Sequence, residues 1–92
     1  MLGIFVKGPP SVSDEDMVEA TRLMSNVLQL KAEFVTLEGL LGKQPTVNVD
    51  GVIYTISRRL GMVFAFLENA DEDLQEFKKA HPTITYTTGI RL

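Results

Sequence analysis

Runs of β-prone residues predict a strand near the start of the chain and a hairpin near its middle. Residues 2–7 are apolar and are ended by Gly8-Pro9-Pro10, which indicates a buried strand with an abrupt end. Farther along, the runs 46–49 and 52–55 flank Asp50-Gly51. Two β-prone runs separated by Asp-Gly are a strong short-range signal of a hairpin. The chain is therefore expected to begin with a strand and to carry a two-stranded hairpin at its centre.

After the first strand, apolar residues recur with the spacing of a helix. Ser13 can cap this helix, and Asp16 three residues later makes a pair similar to a capping box. The acidic run Asp14-Glu15-Asp16 suits the positive end of a helix dipole. Apolar residues at alternating spacings of three and four continue to residue 41, which would give one coiled-coil-like helix over 14–41. They are Ala20, Leu23, Val27, Leu30, Phe34, Leu37 and Leu41.

We favour a shorter helix that ends near Leu30 and is followed by a strand over residues 32–38. Phe34-Val35-Thr36 is rich in residues that favour strands. Gly39 would interrupt a longer helix at a cost of about 1 kcal/mol. The first half of the chain is thus predicted to run strand, helix, strand.

The second half of the sequence is predicted to form two helices and a strand. Ser57 can cap a helix with a shared apolar face, although residues 62–67 are apolar on every side and would also fit a buried strand. Another helix begins at Asn69, with an acidic first turn and a basic last turn, and Pro82 ends it. Residues 83–88 alternate threonine with less polar residues, which is typical of a half-exposed strand.

Composition limits the chemistry that the chain can perform. Its 92 residues, 45% of them apolar and 23% charged, are expected to form one domain over 1–92. The chain has no cysteine, which excludes disulfides, thiolate catalysis and cysteine-ligated metals, and one histidine, His81, cannot form a multi-histidine metal site. The net charge of −3 argues against nucleic acid, and no apolar run approaches the length of a membrane span. We expect a cytoplasmic protein.

The block Gly42-Lys43-Gln44-Pro45-Thr46-Val47 carries a resemblance to a known fold. With Asp50-Gly51, Ser57 and Leu60 downstream, it resembles the thioredoxin-like N-terminal domain of glutathione transferases and is similar to glutaredoxins. The resemblance implies a thioredoxin-like α/β fold, with a mixed sheet and flanking helices. It also implies that the Gln44–Pro45 peptide bond is cis.

The same resemblance divides the chain and implies a ligand site. Residues 2–69 would form the thioredoxin-like part, and residues 70–92 a C-terminal helix and a strand. In the family, the backbone beside the proline pairs with the cysteinyl part of glutathione, and a serine at a helix start holds its γ-glutamyl carboxylate. The residues that the resemblance assigns to the ligand are Gln44, Pro45, Ser57 and Ser11.

Departures from the family argue against catalysis. Ile56 stands where the family has Glu or Gln to contact the γ-glutamyl amine, and an apolar side chain cannot make that contact. The loop after the first strand offers serine, and neither cysteine nor tyrosine, as the thiol-activating residue. We therefore expect no catalytic residue, no metal and no cofactor, with glutathione as a disfavoured ligand.

These observations predict a non-catalytic protein-interaction or adaptor domain rather than an enzyme. Its partner would add to the exposed edge of the last strand, at Thr83, Thr85 and Thr87, or would contact Arg58 and Arg59. The partner is expected to be another protein or a second copy of the chain in a homodimer.

Three alternatives stay open. The first is a domain that binds glutathione or another small ligand, with weak or no transferase activity. The second is a ferredoxin-like βαββαβ domain with strands at 2–7, 46–56, 62–67 and 83–90, which would be a small oligomeric effector-binding protein. The third is an oligomer built on one long helix over 14–41.

Overall fold

The computed structural model describes the backbone of residues 2–90 and the side-chain environments of residues 6–86. The chain runs β1 (Leu2–Lys7), α1 (Asp14–Leu40), β2 (Thr46–Val49), β3 (Val52–Thr55), α2 (Ile56–Ala80) and β4 (Thr85–Ile90). The α/β class is confirmed. The described strands form two separate antiparallel pairs, β1–β4 and β2–β3, in place of the mixed sheet expected of a thioredoxin-like fold.

α1 is one continuous helix of 27 residues, so the predicted helix end near Leu30 and the predicted strand over 32–38 are wrong. The alternative of one long helix over 14–41 describes the chain better. Phe34 and Leu37 continue the apolar stripe of this helix, and Leu37 is buried against α2. Burial of the stripe outweighs the local preference for strand, because most helical stability comes from packing of an apolar face.

α2 is also a single helix, where the sequence predicted two. Its apolar residues keep alternating spacings of four and three across the predicted break at Asn69, so one stripe faces α1 along the whole length. Residues 62–67 are therefore helical, and the strand that the ferredoxin-like alternative places there is wrong. The stripe consists of Ile56, Leu60, Val63, Leu67, Ala70, Leu74 and Phe77.

Hydroxyl side chains cap both helices. The Asp16 N–H donates to Ser13 Oγ at 3.2 Å, which confirms the predicted start of α1. At the start of α2 the cap is Thr55, whose Oγ1 accepts a hydrogen bond from the Arg58 N–H at 3.3 Å. Ser57, predicted as this cap, lies inside the first turn because the hairpin ends at Thr55 and the helix begins at once.

The core lies along the seam between the two helices and consists of two clusters. Tyr86 of β4 packs against the first cluster, and Val47 of β2 packs against the second. The helices are antiparallel, so the second cluster joins the end of α1 to the start of α2. The first cluster contains Leu23, Val27, Ala70 and Leu74; the second contains Leu37, Ile56 and Val63.

The β2–β3 hairpin forms as predicted. Val49 pairs with Val52 across the two-residue turn, and both turn residues have positive φ, 53° for Asp50 and 85° for Gly51. These angles identify a type I′ turn, whose twist matches that of the flanking strands. Asn48 Oδ1 supports the turn by accepting a hydrogen bond from the Gly51 N–H at 2.9 Å.

The β1–β4 pair brings the two ends of the described chain together. Its register runs from Leu2 opposite Ile90 to Lys7 opposite Thr85, and the first strand lies where it was predicted. The last strand lies at Thr85–Ile90 instead of 83–88. It begins later because a turn closed by the Ile84 N–H, which donates to the His81 carbonyl oxygen at 3.3 Å, occupies the preceding residues.

The molecule is elongated, with extents of 50 × 31 × 20 Å. Its radius of gyration is 15.9 Å, against about 12 Å for a compact domain of this length. A single layer of two helices leaves a large part of each helix outside the seam. Between residues 2 and 90, neither helix is apolar over a length that would let it cross a bilayer.

Replacing Gly42 by alanine is expected to lower the free energy of unfolding by about 1 kcal/mol. Leu41 (φ −57°, ψ 126°) and Gly42 (φ 79°) form the centre of a type II turn after α1, in which the Lys43 N–H donates to the Leu40 carbonyl oxygen at 2.9 Å. A Cβ is strained at this positive φ. Gly61→Ala is the matched control, because Gly61 is helical with open space around it and alanine there should raise stability by about 1 kcal/mol. Urea denaturation at low protein concentration measures both, and equal signs would contradict the turn assignment.

Candidate interaction surface

The loop that carries the resemblance, residues 42–45, is exposed beside the β2–β3 hairpin and lines only a shallow groove. All peptide bonds of the described residues are trans, so the implied cis bond at Gln44–Pro45 is wrong. Gln44 Nε2 donates to the Thr46 carbonyl oxygen at 2.8 Å. The Ile56 N–H donates to the Pro45 carbonyl oxygen at 3.4 Å. The Gln44 amide and the Pro45 carbonyl therefore serve the local structure of this loop.

The structure does not bring the four predicted ligand residues together. Gln44, Pro45 and the exposed Ser57 lie near the β2–β3 hairpin. Ser11 precedes α1, which begins beside the end of α2. α2 has 25 residues, a length of about 37 Å, and Ser11 lies near the opposite end of this helix from the other three.

Arg59, predicted as a partner-binding cation, connects the two helices. Its Nε and Nη2 donate to the two carboxylate oxygens of Glu33 at 2.7 and 3.3 Å. The guanidinium carbon also lies 5.4 Å from the ring centre of Tyr54 and 6.0 Å from that of Phe66. The hydrogen bond to Glu33 raises the pKa of Arg59, and partial burial opposes this rise. Its neighbour Arg58 is exposed.

The strand predicted to bind a partner belongs to a two-stranded sheet. Thr83 and Thr85 are exposed, and Thr85 Oγ1 donates to the Lys7 carbonyl oxygen at 3.3 Å. The side chain of Thr87 lies outside the described residues, while its backbone pairs with residue 5 of β1. Each strand of a two-stranded sheet has one edge outside the pair, so strand addition by a partner stays a prediction.

Tyr86 of β4 has a buried hydroxyl that finds no hydrogen-bond partner among the described residues. The Nζ of Lys78 lies 4.9 Å from the centre of its ring. Burial disfavours the phenolate, so the pKa of Tyr86 is raised above its ordinary value of 10.0.

Tyr86→Phe is expected to raise stability at pH 7 by up to about 1 kcal/mol, because it removes a buried hydroxyl without a partner. The folded state holds the Tyr86 proton more tightly than the unfolded chain, so the wild-type protein should lose stability as pH rises above about 10. The variant lacks this part of the alkaline loss. Urea unfolding at about pH 8 and about pH 10.5 measures both effects. An equal alkaline loss in the two proteins would contradict the assignment.

Exposed apolar side chains concentrate in one half of the molecule. We call this half, formed by the end of α1, the β2–β3 hairpin and the start of α2, the hairpin half. Seven large apolar residues are exposed among the described side chains, and Val18 is the one that lies elsewhere. The six in the hairpin half are Val35, Leu41, Val52, Ile53, Phe64 and Phe66.

Phe34, Val35 and Phe64, which we call the aromatic face, lie together on one side of the helix pair. The ring centroids of Phe34 and Phe64 are 6.2 Å apart, and the side chains of Phe64 and Val35 are 52% and 66% exposed. Lys78, two heptads after Phe64 on the same stripe of α2, lies over Tyr86. The β1–β4 sheet thus covers this side of α2 near its end and leaves the aromatic face open.

Two helix glycines also lie in the hairpin half. A Cβ placed on Gly39 or Gly61 would meet no atom within 4 Å. Glycine inside a helix costs up to about 1 kcal/mol relative to alanine. Packing within the chain therefore gives no reason for glycine at either position.

The sequence contains a signal for the exposed apolar residues of the hairpin half. The prediction of a strand over 32–38 prevented its recognition. When the three-four stripe is assigned to the seam of a helix pair, Val35 and Phe64 fall outside it and must face solvent or a partner. Glu33 was missed for the same reason, because its pairing with Arg59 requires both segments to be helical.

Neither metal binding nor similarity to known proteins indicates a function for this chain. Among the side chains that the structure describes, no group of three or more could hold a metal ion. Comparison of the chain with protein families, with curated proteins and with solved structures finds no match. A function for the chain must therefore be inferred from its geometry.

Proposed function

We propose that this chain is a non-catalytic protein-interaction or adaptor domain that binds its partner through the hairpin half. The observation that carries the proposal is the concentration of six exposed large apolar side chains there. Covering apolar surface contributes about 25 cal/mol per Å² removed from water, which must exceed the entropy cost of association before a complex forms. Aromatic side chains are the commonest anchors of interfaces, and Phe64, which is 52% exposed beside Phe34, supplies one.

The helix glycines support the same surface. Gly39 and Gly61 lower helix stability, and each leaves open space in front of its Cα. Open space of this kind lets the backbone or a side chain of another molecule approach the helix closely. A binding surface accounts for glycine at these positions, whereas the packing of the isolated chain does not.

The proposal does not depend on a thioredoxin-like fold or on glutathione. α1 continues through the segment where that fold has a strand, and the implied ligand residues lie at opposite ends of the helix pair. Glutathione binding is tested directly by titration calorimetry of the purified chain. Saturable binding that Gln44→Ala removes would favour the ligand-binding alternative over the interaction domain.

Site-specific photo-crosslinking tests the interaction itself. Benzoylphenylalanine is placed at position 64 or 35 in cells that contain the protein. Position 18 is the control in the other half, where Val18 is 68% exposed against 66% for Val35. We expect defined covalent adducts from positions 64 and 35 that are absent from position 18. A further change in the hairpin half, Ile53→Asp, should reduce the adducts, while Lys79→Asp should leave them. Adducts from none of the positions, or equally from position 18, would reject the proposal.

A further inference from the structure

The aromatic face lies between two opposite charges at equal distances along α1. Lys31, Phe34, Val35 and Glu38 are spaced by three or four residues, so they form one diamond on the helix surface. Lys31 and Glu38 each lie three and a half residues, or about 5 Å, from the midpoint between Phe34 and Val35. The two charges cancel, although the chain has a net charge of −3.

Lys31 and Glu38 are available for an external contact. Both side chains are exposed, and neither belongs to an ion pair with another described residue. They stand seven residues apart, about 10 Å along the helix, which is too far for a salt bridge between them. Both charges are therefore available to pair with a second molecule.

We infer that a second copy of this chain covers the aromatic face, with α1 of one copy antiparallel to α1 of the other. The inference rests on the proposed function and names its partner. A twofold axis that runs between the two copies of α1, at the level of Phe34 and Val35, places Lys31 of each copy opposite Glu38 of the other. An isologous interface requires this reciprocity, in which one contact is made twice.

The same axis accounts for Gly61 on α2. Glu33 pairs with Arg59 and Phe34 contacts Phe64, so the middle of the diamond lies beside α2 between residues 59 and 64. An axis at this level passes beside α2 at a height between Gly61 and Phe64. It therefore brings Phe64 of each copy towards Gly61 of the other, where the open space on the helix can receive an aromatic ring.

A second copy fits this face better than a partner of another class. A nucleic acid requires a concentration of positive charge, and a strongly acidic or basic protein requires one sign of charge around the apolar centre. The α1 part of this face carries one charge of each sign, placed symmetrically about apolar residues. Such a pattern is complementary to itself.

Exchanging the charges at positions 31 and 38 tests the inference. Sedimentation velocity over a range of concentrations compares the wild-type chain with Lys31→Glu, Glu38→Lys and the double variant. We expect the wild-type mass to rise from 10.2 kDa towards twice that value. Each single variant places like charges opposite each other twice and should weaken dimerisation about tenfold or more. The double variant should restore it.

Mixing the two single variants provides a second test of the same charge pairing. Lys31→Glu carries two acidic residues beside the aromatic face, and Glu38→Lys carries two basic ones, so a one-to-one mixture should form a heterodimer. Circular dichroism controls for folding, and Lys79→Glu is the control for net charge. Single variants that dimerise like wild type, or a double variant and a mixture that stay monomeric, would overturn the arrangement.

The outcome separates this inference from the proposed function. A wild-type chain that stays monomeric at all concentrations overturns the second copy as partner. If photo-crosslinking from position 64 then yields an adduct whose mass differs from two chains, the interaction domain stands with another partner. If neither position 64 nor position 35 yields an adduct, both proposals fail.

Discussion

Leu37→Ala is expected to lower the free energy of unfolding by about 2–5 kcal/mol. Leu37 is 3% exposed and forms the second core cluster with Ile56 and Val63. Truncation removes its apolar contacts and leaves a cavity between the helices. The elongated chain has a small core, and typical domain stabilities are only about 5–15 kcal/mol, so this loss is a large fraction of the total. Urea denaturation at low protein concentration measures it.

Val35→Ala is the matched control, since it lies in the same segment and is 66% exposed. In a helix, residues two apart point in different directions, whereas in a strand they share a face. We therefore expect a change within about 0.5 kcal/mol for Val35→Ala, and an effect several times larger for Leu37→Ala. Comparable losses at both positions would support the strand at 32–38 and contradict α1.

Removal of the Arg59 guanidinium is the second change with a large expected effect. Arg59→Met should lower stability by about 2–3 kcal/mol, because it leaves the half-buried Glu33 carboxylate without its cation. The side chains of Arg59 and Glu33 are 13% and 32% exposed, so solvent screens the pair only in part. The contacts of the guanidinium with Tyr54 and Phe66 are also lost.

Arg59→Lys should recover only part of the loss, because an ammonium group cannot engage both carboxylate oxygens and lie flat over aromatic rings. Arg58→Met provides the control, since Arg58 is exposed and its replacement should change stability by less than about 0.5 kcal/mol. A double-mutant cycle of Arg59→Met with Glu33→Gln isolates the pair, with an expected coupling of about 1–2 kcal/mol. Equal effects of Arg58→Met and Arg59→Met would remove the pair as a structural contact.

Local sequence signals predicted the short-range elements well. The first strand, the Ser13 cap and the Asp50-Gly51 hairpin all follow from residues close together in the chain. Turn and cap preferences depend on the backbone conformations that single residues allow, so they can be read without knowledge of the tertiary fold. The α/β class and the absence of thiol chemistry follow in the same way from pattern and composition.

The length of the helices depended on tertiary contacts. Phe34-Val35-Thr36 favours a strand locally, and Asn69 resembles a helix start, yet both segments are helical throughout. Each apolar stripe is buried only when the other helix is present along its whole length. A local prediction cannot include that gain, because the two stripes are separated by the hairpin in sequence.

The same distinction between local signals and tertiary contacts applies to the surface. The amino-acid sequence alone shows which residues are apolar, that the chain carries no thiol, and where the turns lie. The packed helices establish that Leu37 is buried while Val35 and Phe64 are exposed, and that Arg59 pairs with Glu33. Burial and ion pairing each require two segments to meet, so no single segment of sequence contains them. Packing of α1 on α2 assigns one stripe of each helix to the seam and leaves the remaining apolar residues outside it.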